Sequence, residues 1–350
     1  MIEVKSREDG LNTMKAIVMN GHGGTDSLRL DENFPEKDLS PNEVRVNIEA
    51  CAINYHDIFT LRGMPGIKIP TPMILGNDMS GTIAELGSEV TGWSVGDRVM
   101  IHPVYPGRGL MGEMHPGGLA ERCIVDAQQL IALPDEVSFE QAAALPVAYG
   151  TAYRMMFTIG NVQAGEKVLI LGASGGVGTC AVQLAKLRGC EVIVCASSAE
   201  KLEQLKALGA DHGIDYTKDD FMKEVWRLFG KPDRRSTAGG VDVVVNYTGG
   251  DTWVPSLRCM RRGGRLLTCG ATAGFDPTED LRYIWTYELQ VLGSNGWTRQ
   301  DLHDLLKLCQ EGQLSPVIGG VYSLDDGIAA LEAMESRTLF GKLIVKPKLS

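Results

Sequence analysis

From residue 167 onward, short apolar runs alternate regularly with amphipathic helical patterns. The apolar runs predict six strands, at Val168–Leu171, Glu191–Cys195, His212–Asp215, Val241–Asn246, Arg265–Cys269 and Gln290–Gly293. Helical patterns lie between these runs, for example at 199–209, 219–230 and 252–264. Apolar strands that alternate with helices are typical of a parallel sheet covered on both faces. This half of the chain is therefore expected to have the doubly wound α/β architecture.

The chain before residue 149 has a different pattern. Residues 14–20 and 28–35 predict a β-hairpin, and Val44, Val46 and Ile48 alternate with polar residues, as in a half-buried antiparallel strand. Further short strands are predicted at Ser80–Leu86 and Arg98–His102, in a region rich in glycine and proline. This pattern favours a small, curved, mostly antiparallel barrel-like domain.

The two patterns predict the domain organisation. Residues 1–13 are polar and are expected to form a loose N-terminal extension. We assign residues 14–148 and 296–350 to the barrel-like domain, and residues 149–295 to the doubly wound domain. The segment 296–350 contains two helical patterns, at 299–313 and 323–337, and a last strand at 341–347.

A glycine-rich turn follows the first predicted strand of the doubly wound domain. The sequence GASGGVG at 172–178 lies between this strand and a helical pattern. Glycine permits a sharp turn and a close approach of the backbone to a phosphate, and a helix N-terminus offers unpaired N–H groups and a positive dipole end. The turn is therefore the candidate dinucleotide site, with Ser174, Gly175, Gly176 and Val177 as predicted contacts.

Composition narrows the class of protein. The chain has 350 residues and a formal net charge of −10, which argues against a nucleic-acid or anionic-membrane surface. Neither a signal-peptide pattern nor an apolar run of spanning length is present, so we expect a soluble, cytoplasmic protein. The eight cysteines form no CxxC pair and are expected to be reduced core residues.

Seven motifs together resemble the medium-chain dehydrogenase/reductases. They are NYHDIFTLRG (54–63), ILGNDMSGTIAELGSEVTGWSVGDRV (74–99), AAALPVAYGTAYR (142–154), GASGGVG (172–178), KLEQLKALGADHGIDY (201–216), VDVVVNYTGG (241–250) and GRLLTCGATAG (264–274). Within that superfamily the chain is most similar to the zinc-free quinone oxidoreductase and enoyl reductase branch. The resemblance implies a GroES-like, mostly antiparallel β-barrel catalytic domain and a Rossmann nucleotide-binding domain.

The zinc-ligand positions of the superfamily are altered in this chain. Zinc alcohol dehydrogenases have a Cys in the loop that here reads NYHD and a His-Glu pair where this chain has Asn77 and Asp78. A further Cys or Asp is replaced by alanine near residue 143, and the cysteines of the second zinc site are missing from 103–118. Because an amide and a carboxylate do not replace a thiolate and imidazole set, we expect no metal. A metal site using His56, Asp78, His102 and His115 is the weaker alternative.

The expected cofactor is NADPH. NAD-preferring folds of this type carry an acid about 20 residues beyond the glycines, whereas the second strand here ends in Cys195-Ala196-Ser197-Ser198, followed by Lys201. Two hydroxyls and an ammonium suit a 2′-phosphate. The resemblance implies further contacts from Tyr216, from Thr151 and, near the nicotinamide, from Asn54. Asn246, Gly270, Ala271 and Asn295 follow predicted strands. They are therefore expected to contact the cofactor, with Asn295 at its carboxamide.

The expected chemistry follows from the absence of zinc ligands. A carbonyl polarised by hydrogen bonds alone favours acceptors that are already electron-poor, namely quinones and the C=C bond of α,β-unsaturated carbonyls. Asn54, Tyr55 and His56 are the candidate catalytic residues, with Tyr55 and His56 as proton donors. The tyrosine of fatty-acyl-type enoyl reductases is replaced by Met64-Pro65.

Several alternatives remain open at this stage. One is an enoyl-CoA thioester reductase, for which the basic residues Arg62, Lys68 and Arg108 would have to converge on the CoA phosphates. The others are a non-catalytic NADPH-binding sensor or structural protein, and a zinc-type alcohol dehydrogenase. The expected partners are a small-molecule substrate and further copies of the chain, as a homodimer or homotetramer formed at the edge near GSNGW.

Overall fold

The computed structural model describes residues 12–348, which form two compact units. Unit 1 comprises residues 12–143, 320–338 and 343–348, and unit 2 comprises residues 144–319 and 339–342. The predicted extension at 1–13 lies almost entirely outside the described residues, and Thr13 already belongs to the first strand. Within residues 12–348, no helix has both the length and the apolar character needed to cross a membrane.

The strands and helices are numbered in chain order. The strands are β1 (Thr13–Met19), β2 (Leu28–Pro35), β3 (Glu43–Ile53), β4 (Met73–Ile74), β5 (Asp78–Leu86), β6 (Arg98–Ile101), β7 (Val104–Tyr105), β8 (Gly109–Leu110), β9 (Arg122–Asp126), β10 (Leu130–Ala132), β11 (Lys167–Ile170), β12 (Glu191–Ala196), β13 (His212–Asp215), β14 (Val241–Val245), β15 (Met260–Thr268), β16 (Gln290–Gly293), β17 (Ile318–Ser323) and β18 (Lys342–Lys346). The helices are α1 (Tyr55–Arg62), α2 (Phe139–Ala144), α3 (Gly150–Tyr153), α4 (Gly176–Leu187), α5 (Ala199–Ala207), α6 (Phe221–Phe229), α7 (Trp253–Cys259), α8 (Leu281–Thr286), α9 (Arg299–Gln310) and α10 (Gly327–Glu335). Two π-helical turns, Leu145–Tyr149 and Arg154–Ile159, flank α3.

Unit 1 is built on antiparallel β-sheets. A three-stranded sheet has the order β2-β1-β4, and its β1–β2 pair is the predicted hairpin. A seven-stranded sheet has the order β10-β6-β5-β3-β18-β17, with β9 also pairing β3. Along β3, the side chains of Val44, Val46 and Ile48 are buried as the alternation predicts. The GroES-like, mostly antiparallel fold predicted for this part is confirmed.

The buried position of Arg45 on β3 was not expected from that alternation. Its guanidinium donates to Glu36 Oε1 (2.9 Å) and to Glu85 Oε2 (3.0 Å). Arg122 on β9 also binds Glu36, through Nε (2.9 Å) and Nη2 (3.0 Å). Burial of the Arg45 charge is possible because its guanidinium has carboxylate partners.

Unit 2 contains a six-stranded parallel sheet. Its order is β13-β12-β11-β14-β15-β16, so the chain runs outward from β11 in one direction and then restarts beside β11 with β14. Apolar strands such as β12 and β14 are buried because helices cover both faces of a parallel sheet. All six predicted strands are present, which confirms the doubly wound Rossmann architecture. The reversal beside β11 places the glycine-rich turn at the usual ligand position of such sheets.

The sheet differs from the prediction near β15. This strand begins at Met260, so the helical pattern predicted at 252–264 ends at Cys259 as α7. Met260 pairs with Val241 of β14, and the register then shifts before Val243 pairs with Arg265. Gly263 has φ of +75°, a conformation that favours glycine and permits this irregular strand.

Residues 296–319, which the prediction assigned to the barrel-like domain, lie in unit 2. Helix α9 is held there by side-chain hydrogen bonds, from Thr158 Oγ1 to Asp301 (2.7 Å) and from the Tyr153 hydroxyl to Asp304 (3.1 Å). The N–H of Val317 donates to the hydroxyl of the buried Tyr149 (2.8 Å). The amphipathic pattern of α9 showed that the helix has a buried face without showing which unit would cover it.

Candidate active site

The glycine-rich turn joins β11 to α4 in unit 2. Gly172 has φ of +61°, and Gly175 is the N-cap of α4 with φ of −82° and ψ of 178°. A Cβ added at Gly175 would meet only the carbonyl oxygen of Gly172, at 3.9 Å. Because Gly175 has no side chain, no side-chain cap occupies the first N–H groups of α4. An open space beside uncapped helix N–H groups fits a pyrophosphate.

Two further contacts fix this turn. The carbonyl oxygen of Ser174 accepts a hydrogen bond from the N–H of Gly341 (2.9 Å), a residue of the second segment of unit 2. A Cβ at Gly178 would lie 2.5 Å from Cα of Ala173, so the helix can pack against the turn only with glycine at this position. The predicted residues Ser174, Gly175, Gly176 and Val177 therefore lie where the turn passes into the first residues of α4.

The residues predicted to bind a 2′-phosphate meet at the carboxyl end of β12. Ser197 directly follows β12, and Ser198 is the N-cap of α5, where its Oγ accepts from the N–H of Lys201 (3.3 Å). Tyr216, at the end of β13, is 52% exposed and donates its N–H to the carbonyl of Ala196 (3.2 Å). Pairing of β12 with β13 thus brings Tyr216 beside the serines.

The electrostatics at Lys201 have two opposing causes. Partial burial lowers the pKa of the Lys201 ammonium below its ordinary value of 10.5, and the nearby charge of Glu200 acts in the opposite direction. Glu200 lies in the first turn of α5 and is exposed. Glu200 is therefore an acidic neighbour of the predicted 2′-phosphate contacts, although it follows the serines rather than ending the strand.

The side chain of Asn246 is fully buried and serves the turn that follows β14. Its Oδ1 accepts from the N–H groups of Thr248 (2.9 Å) and Gly249 (3.0 Å). Its Nδ2 donates to Ser256 Oγ (2.9 Å) and Thr252 Oγ1 (3.1 Å). Both ends of the amide are engaged within the chain, so Asn246 shapes this turn, and its predicted cofactor contact stays a prediction.

Gly270 and Ala271 lie in the loop after β15, at the same edge of the sheet. The N–H of Ala273 in this loop donates to the carbonyl of Thr248 (2.7 Å). A Cβ at Gly249 would lie 3.0 Å from Cβ of Ala271, so the loops after β14 and β15 pack closely together. Gly270 itself is exposed at this edge, where doubly wound folds bind ligands.

The last two predicted cofactor contacts lie on other elements of unit 2. Thr151 is half-buried on α3, and Asn295 is exposed in the loop after β16. The neighbouring Ser294 donates its N–H to the carbonyl of Thr268 (2.8 Å), and its buried hydroxyl has no hydrogen-bond partner within residues 12–348. Ser294 is therefore an additional polar group at this edge.

In unit 1, Asn54 begins α1 and is 5% exposed. Its N–H donates to Asp57 Oδ2 (2.8 Å), and its Nδ2 donates to Asp78 Oδ2 on β5 (2.8 Å). The other oxygen of Asp57 accepts from the N–H of Gly76 (2.9 Å). Two fully buried carboxylates therefore hold Asn54 in place.

Tyr55 is associated with an arginine near the end of the chain. Its hydroxyl accepts from Nη2 of Arg337 (3.0 Å), and the guanidinium carbon lies 5.1 Å from the centre of the phenol ring. The edge-to-face contact with Phe59, with ring centres 5.1 Å apart, holds the other side of the ring. These contacts orient the Tyr55 hydroxyl, and its role as a proton donor stays a prediction.

His56 forms a close pair with Glu113. The distance from His56 Nε2 to Glu113 Oε2 is 2.7 Å, and the side-chain exposures are 28% and 8%. Burial acts against the charged imidazolium, but the hydrogen bond to Glu113 and the charges of Asp57, Glu113 and Asp78 outweigh it and raise the pKa of His56 above its ordinary value of 6.5. Of the two candidate proton donors, His56 is the one whose side chain is hydrogen-bonded to a carboxylate.

The other residues of the weaker metal alternative have separate partners. His102 Nδ1 accepts from the N–H of Val104 (3.2 Å), and the ring of His115 stacks on Tyr105 with centres 4.5 Å apart. Within residues 12–348, no three His, Cys, Asp or Glu side chains form a group that could hold a metal ion.

Two protein families and several characterised proteins are similar to this chain. Residues 40–135 match the alcohol dehydrogenase GroES-like domain, and residues 176–311 match the zinc-binding dehydrogenase family. The chain is 31% identical to quinone oxidoreductase-like protein 2 of Bos taurus, over 91% of this chain and 88% of that protein. It is 32% identical to acryloyl-coenzyme A reductase of Sulfurisphaera tokodaii, over 95% of this chain and 100% of that protein. A solved NAD-dependent alcohol dehydrogenase superposes with a TM-score of 0.88 at 34% identity, covering 96% of this chain and 100% of that chain.

The chain belongs to the medium-chain dehydrogenase/reductase superfamily. It is an oxidoreductase of this type, related both to quinone oxidoreductase-like proteins and to enoyl-CoA reductases. Both predicted domains therefore have the superfamily's fold.

Two polar partners in this medium-chain dehydrogenase/reductase were not predicted from its sequence. Glu113 and Arg337 lie far along the chain from the side chains they contact, His56 and Tyr55. Neither has a spacing that signals its partner. The one local signal is that Glu113 is an isolated acid in the glycine-rich segment that replaces the superfamily's second zinc site.

Proposed function

We propose that this protein is a zinc-independent, NADPH-dependent reductase of quinones or of the C=C bond of α,β-unsaturated carbonyls. The observation that carries the proposal is the hydrogen bonding of the two amide side chains that stand where zinc alcohol dehydrogenases have zinc ligands. Asn54 donates to Asp78, and Asn77 donates through Nδ2 to the carbonyl of Met111 (2.6 Å). These side chains do not fit a catalytic zinc, which takes thiolate and imidazole donors. Activated acceptors suit a site without a Lewis acid.

The cofactor part of the proposal rests on unit 2. The open space at Gly175 and the uncapped start of α4 suit a pyrophosphate, and the end of β12 offers Ser197, Ser198 and Lys201 rather than an acid. When bound, NADPH supplies a hydride to the electron-poor carbon of the acceptor. The acceptor then has to be oriented and to receive the accompanying proton, for which Tyr55 and His56 are the candidate donors.

A second candidate, reduction of an enoyl-CoA thioester, is favoured by the similarity to acryloyl-coenzyme A reductase. It is the same chemistry, because the thioester carbonyl activates the adjacent C=C bond. Two of the basic residues considered for CoA already have partners: Arg62 is ion-paired with Glu335, and Arg108 lies over the ring of Tyr105 (5.2 Å). These engagements favour a smaller acceptor.

The deciding experiment is NADPH and NADH consumption against a matched panel of quinones, enones, enoyl-CoA thioesters and aldehydes. We expect turnover with quinones or enones, a lower KM for NADPH than for NADH, and no stoichiometric zinc by elemental analysis. A clear NADH preference would remove the cofactor assignment, and stoichiometric zinc with aldehyde turnover would restore the alcohol dehydrogenase alternative. Cofactor binding without turnover of any acceptor would favour the sensor or structural alternative.

We further propose that two copies of the chain associate through β16. This strand is the open edge of the six-stranded sheet, and its Val291 is 41% exposed. Leu281 and Trp285, on the preceding helix α8, are 63% and 65% exposed. An open edge strand beside exposed apolar side chains is a template for pairing with a second copy. The homodimer is therefore the basic assembly that we propose.

Val291→Lys is expected to convert a dimer into monomers at micromolar concentration, raising the dimer dissociation constant at least tenfold, because two added charges would face each other across the paired edges. Sedimentation velocity measures the assembly directly. Val321→Lys is the matched control, since Val321 is 46% exposed on β17, an edge strand of the seven-stranded sheet. A V291K protein that sediments like the wild type would contradict the proposed interface.

A further inference from the structure

Glu113, which contacts His56, lies in a loop that is held by backbone hydrogen bonds and close packing. The loop follows β8, and the N–H of Gly112 donates to the carbonyl of His115 (2.6 Å), closing a tight turn around Glu113. Gly112 has φ of +73°, and a Cβ there would lie 2.9 Å from the backbone nitrogen of Gly76. The loop therefore packs against the Gly76–Asn77 backbone at a distance that only glycine allows.

Asn77 completes this anchorage. Its Nδ2 donates to the carbonyl of Met111, two residues before Glu113, and the side chain of Asn77 is fully buried. A position that holds a zinc-ligand histidine in related enzymes is used here to fix the loop that carries Glu113. The hydrogen bonds and close packing of its loop thus fix the position of the Glu113 carboxylate, and the side chain is 8% exposed.

The pair leaves one ring nitrogen of His56 available. With Glu113 ionised, Nε2–H donates to the carboxylate, so a second proton on the imidazolium resides on Nδ1. Within residues 12–348, the imidazole of His56 has no other hydrogen-bond partner than Glu113. The charged groups with the largest effect on the pKa of His56 are acidic: Asp57 on its own helix, Asp78 on β5 and Glu113 on the loop.

We propose that Glu113 is the positioning residue of a His56–Glu113 pair in which His56 Nδ1–H donates the proton of the reduction. The inference rests on the proposed function and assigns its proton donor. Hydride addition to the acceptor carbon displaces the π electron pair of the C=C bond or of the quinone. This displaced pair then forms a bond to the Nδ1 proton. The Nδ1–H bond breaks, and its electrons remain on a neutral imidazole that still donates Nε2–H to Glu113. Solvent then returns a proton to Nδ1.

The expected pH dependence follows from the charge of the pair. A proton donor is active below its pKa, so turnover in the wild type is lost as pH rises through the raised pKa of His56. Glu113→Gln keeps the size of the side chain and removes its charge. We expect the His56 pKa, and with it the alkaline limb of kcat, to move down by about one pH unit.

The experiment combines two measurements on the full-length protein. Titration of 13C-labelled histidines by NMR, with His56 assigned by His56→Gln, reports the pKa without turnover. The pH profile of kcat with the best acceptor of the panel reports proton donation. Glu113→Asp, which retains the carboxylate, should keep the His56 pKa close to that of the wild type. Glu191→Gln is the matched control, because Glu191 binds His212 (2.9 Å) in unit 2 and lies outside the proposed site.

The outcomes separate this inference from the proposed function. Parallel downward shifts of the His56 pKa and the kcat limb in E113Q, absent from E191Q, support the pair. A shifted pKa with an unmoved kcat profile overturns proton donation by His56, and an unmoved pKa overturns the role of Glu113. If the wild type reduces no acceptor, the proposed function itself fails and takes this inference with it.

Discussion

Ser197→Asp is expected to lower kcat/KM for NADPH by about 100-fold and to leave kcat/KM for NADH unchanged or higher. Ser197 directly follows β12, where NAD-preferring folds of this type carry the acid that binds the ribose 2′-hydroxyl. A carboxylate there would repel a 2′-phosphate and could accept from a 2′-hydroxyl. Hydrogen bonds to charged groups contribute about 1.5–3 kcal/mol, and about 2.8 kcal/mol corresponds to the expected factor.

The measurement is steady-state kinetics with both cofactors at a fixed acceptor concentration. Ser236→Asp provides the same change of charge on unit 2 at an exposed site, in the loop that leads into β14 at the opposite edge of the sheet. That control should retain the wild-type preference. If S197D retained the preference for NADPH over NADH, the end of β12 would not be the part of the protein that contacts the 2′-phosphate.

Substitutions at two glycines are expected to affect different properties, cofactor binding at Gly175 and folding stability at Gly178. Gly175→Ser should preserve the melting temperature, because its backbone conformation is open to any residue and serine is a favourable N-cap. The new hydroxyl would satisfy N–H groups of α4 that a pyrophosphate needs and would fill the open space at this position. We expect the dissociation constant for NADPH to rise at least tenfold, a loss of about 1.4 kcal/mol.

Gly178→Ala is expected to have the opposite profile. Its methyl group would lie 2.5 Å from Cα of Ala173, which is backbone and has no rotamer through which to move away. Overpacking of this kind costs about 1–3 kcal/mol of folding free energy. Thermal unfolding and NADPH titration on both variants test the pair. Equal melting temperatures for G175S and G178A would contradict the close packing of α4 on the turn.

The Rossmann half of the fold could be predicted from sequence because its signal is local. Each buried strand of a parallel sheet is an apolar run, and the glycines of the turn adjoin the strand and helix that they connect. The placement of α9 could not be predicted in the same way. An amphipathic helix shows that one of its faces is buried, whereas the hydrogen bonds from Thr158 and Tyr153 that locate it come from residues 143 and 151 positions before their partners.

The candidate site shows the same distinction. The NYHD loop and the end of β12 were found because their residues are contiguous. The partners that set their chemistry were not found, because Glu113 is 57 residues from His56 and Arg337 is 282 residues from Tyr55. Electrostatic pairs of this range have no period or spacing along the chain. They become visible only when the strands and loops that carry them are placed.

The hydrogen bond from Gly341 to Ser174 has a consequence for the biosynthesis of the protein. Residues 144–319 emerge from the ribosome as a nearly complete unit, and domains generally begin to fold in the order of synthesis. The partner of the glycine-rich turn, however, is translated after all of residues 144–319. The turn therefore lacks this hydrogen bond until residue 341 has been synthesised and has left the ribosome. Ribosome-bound chains stalled before residue 339 would lack this closing contact, however well their parallel sheet had formed.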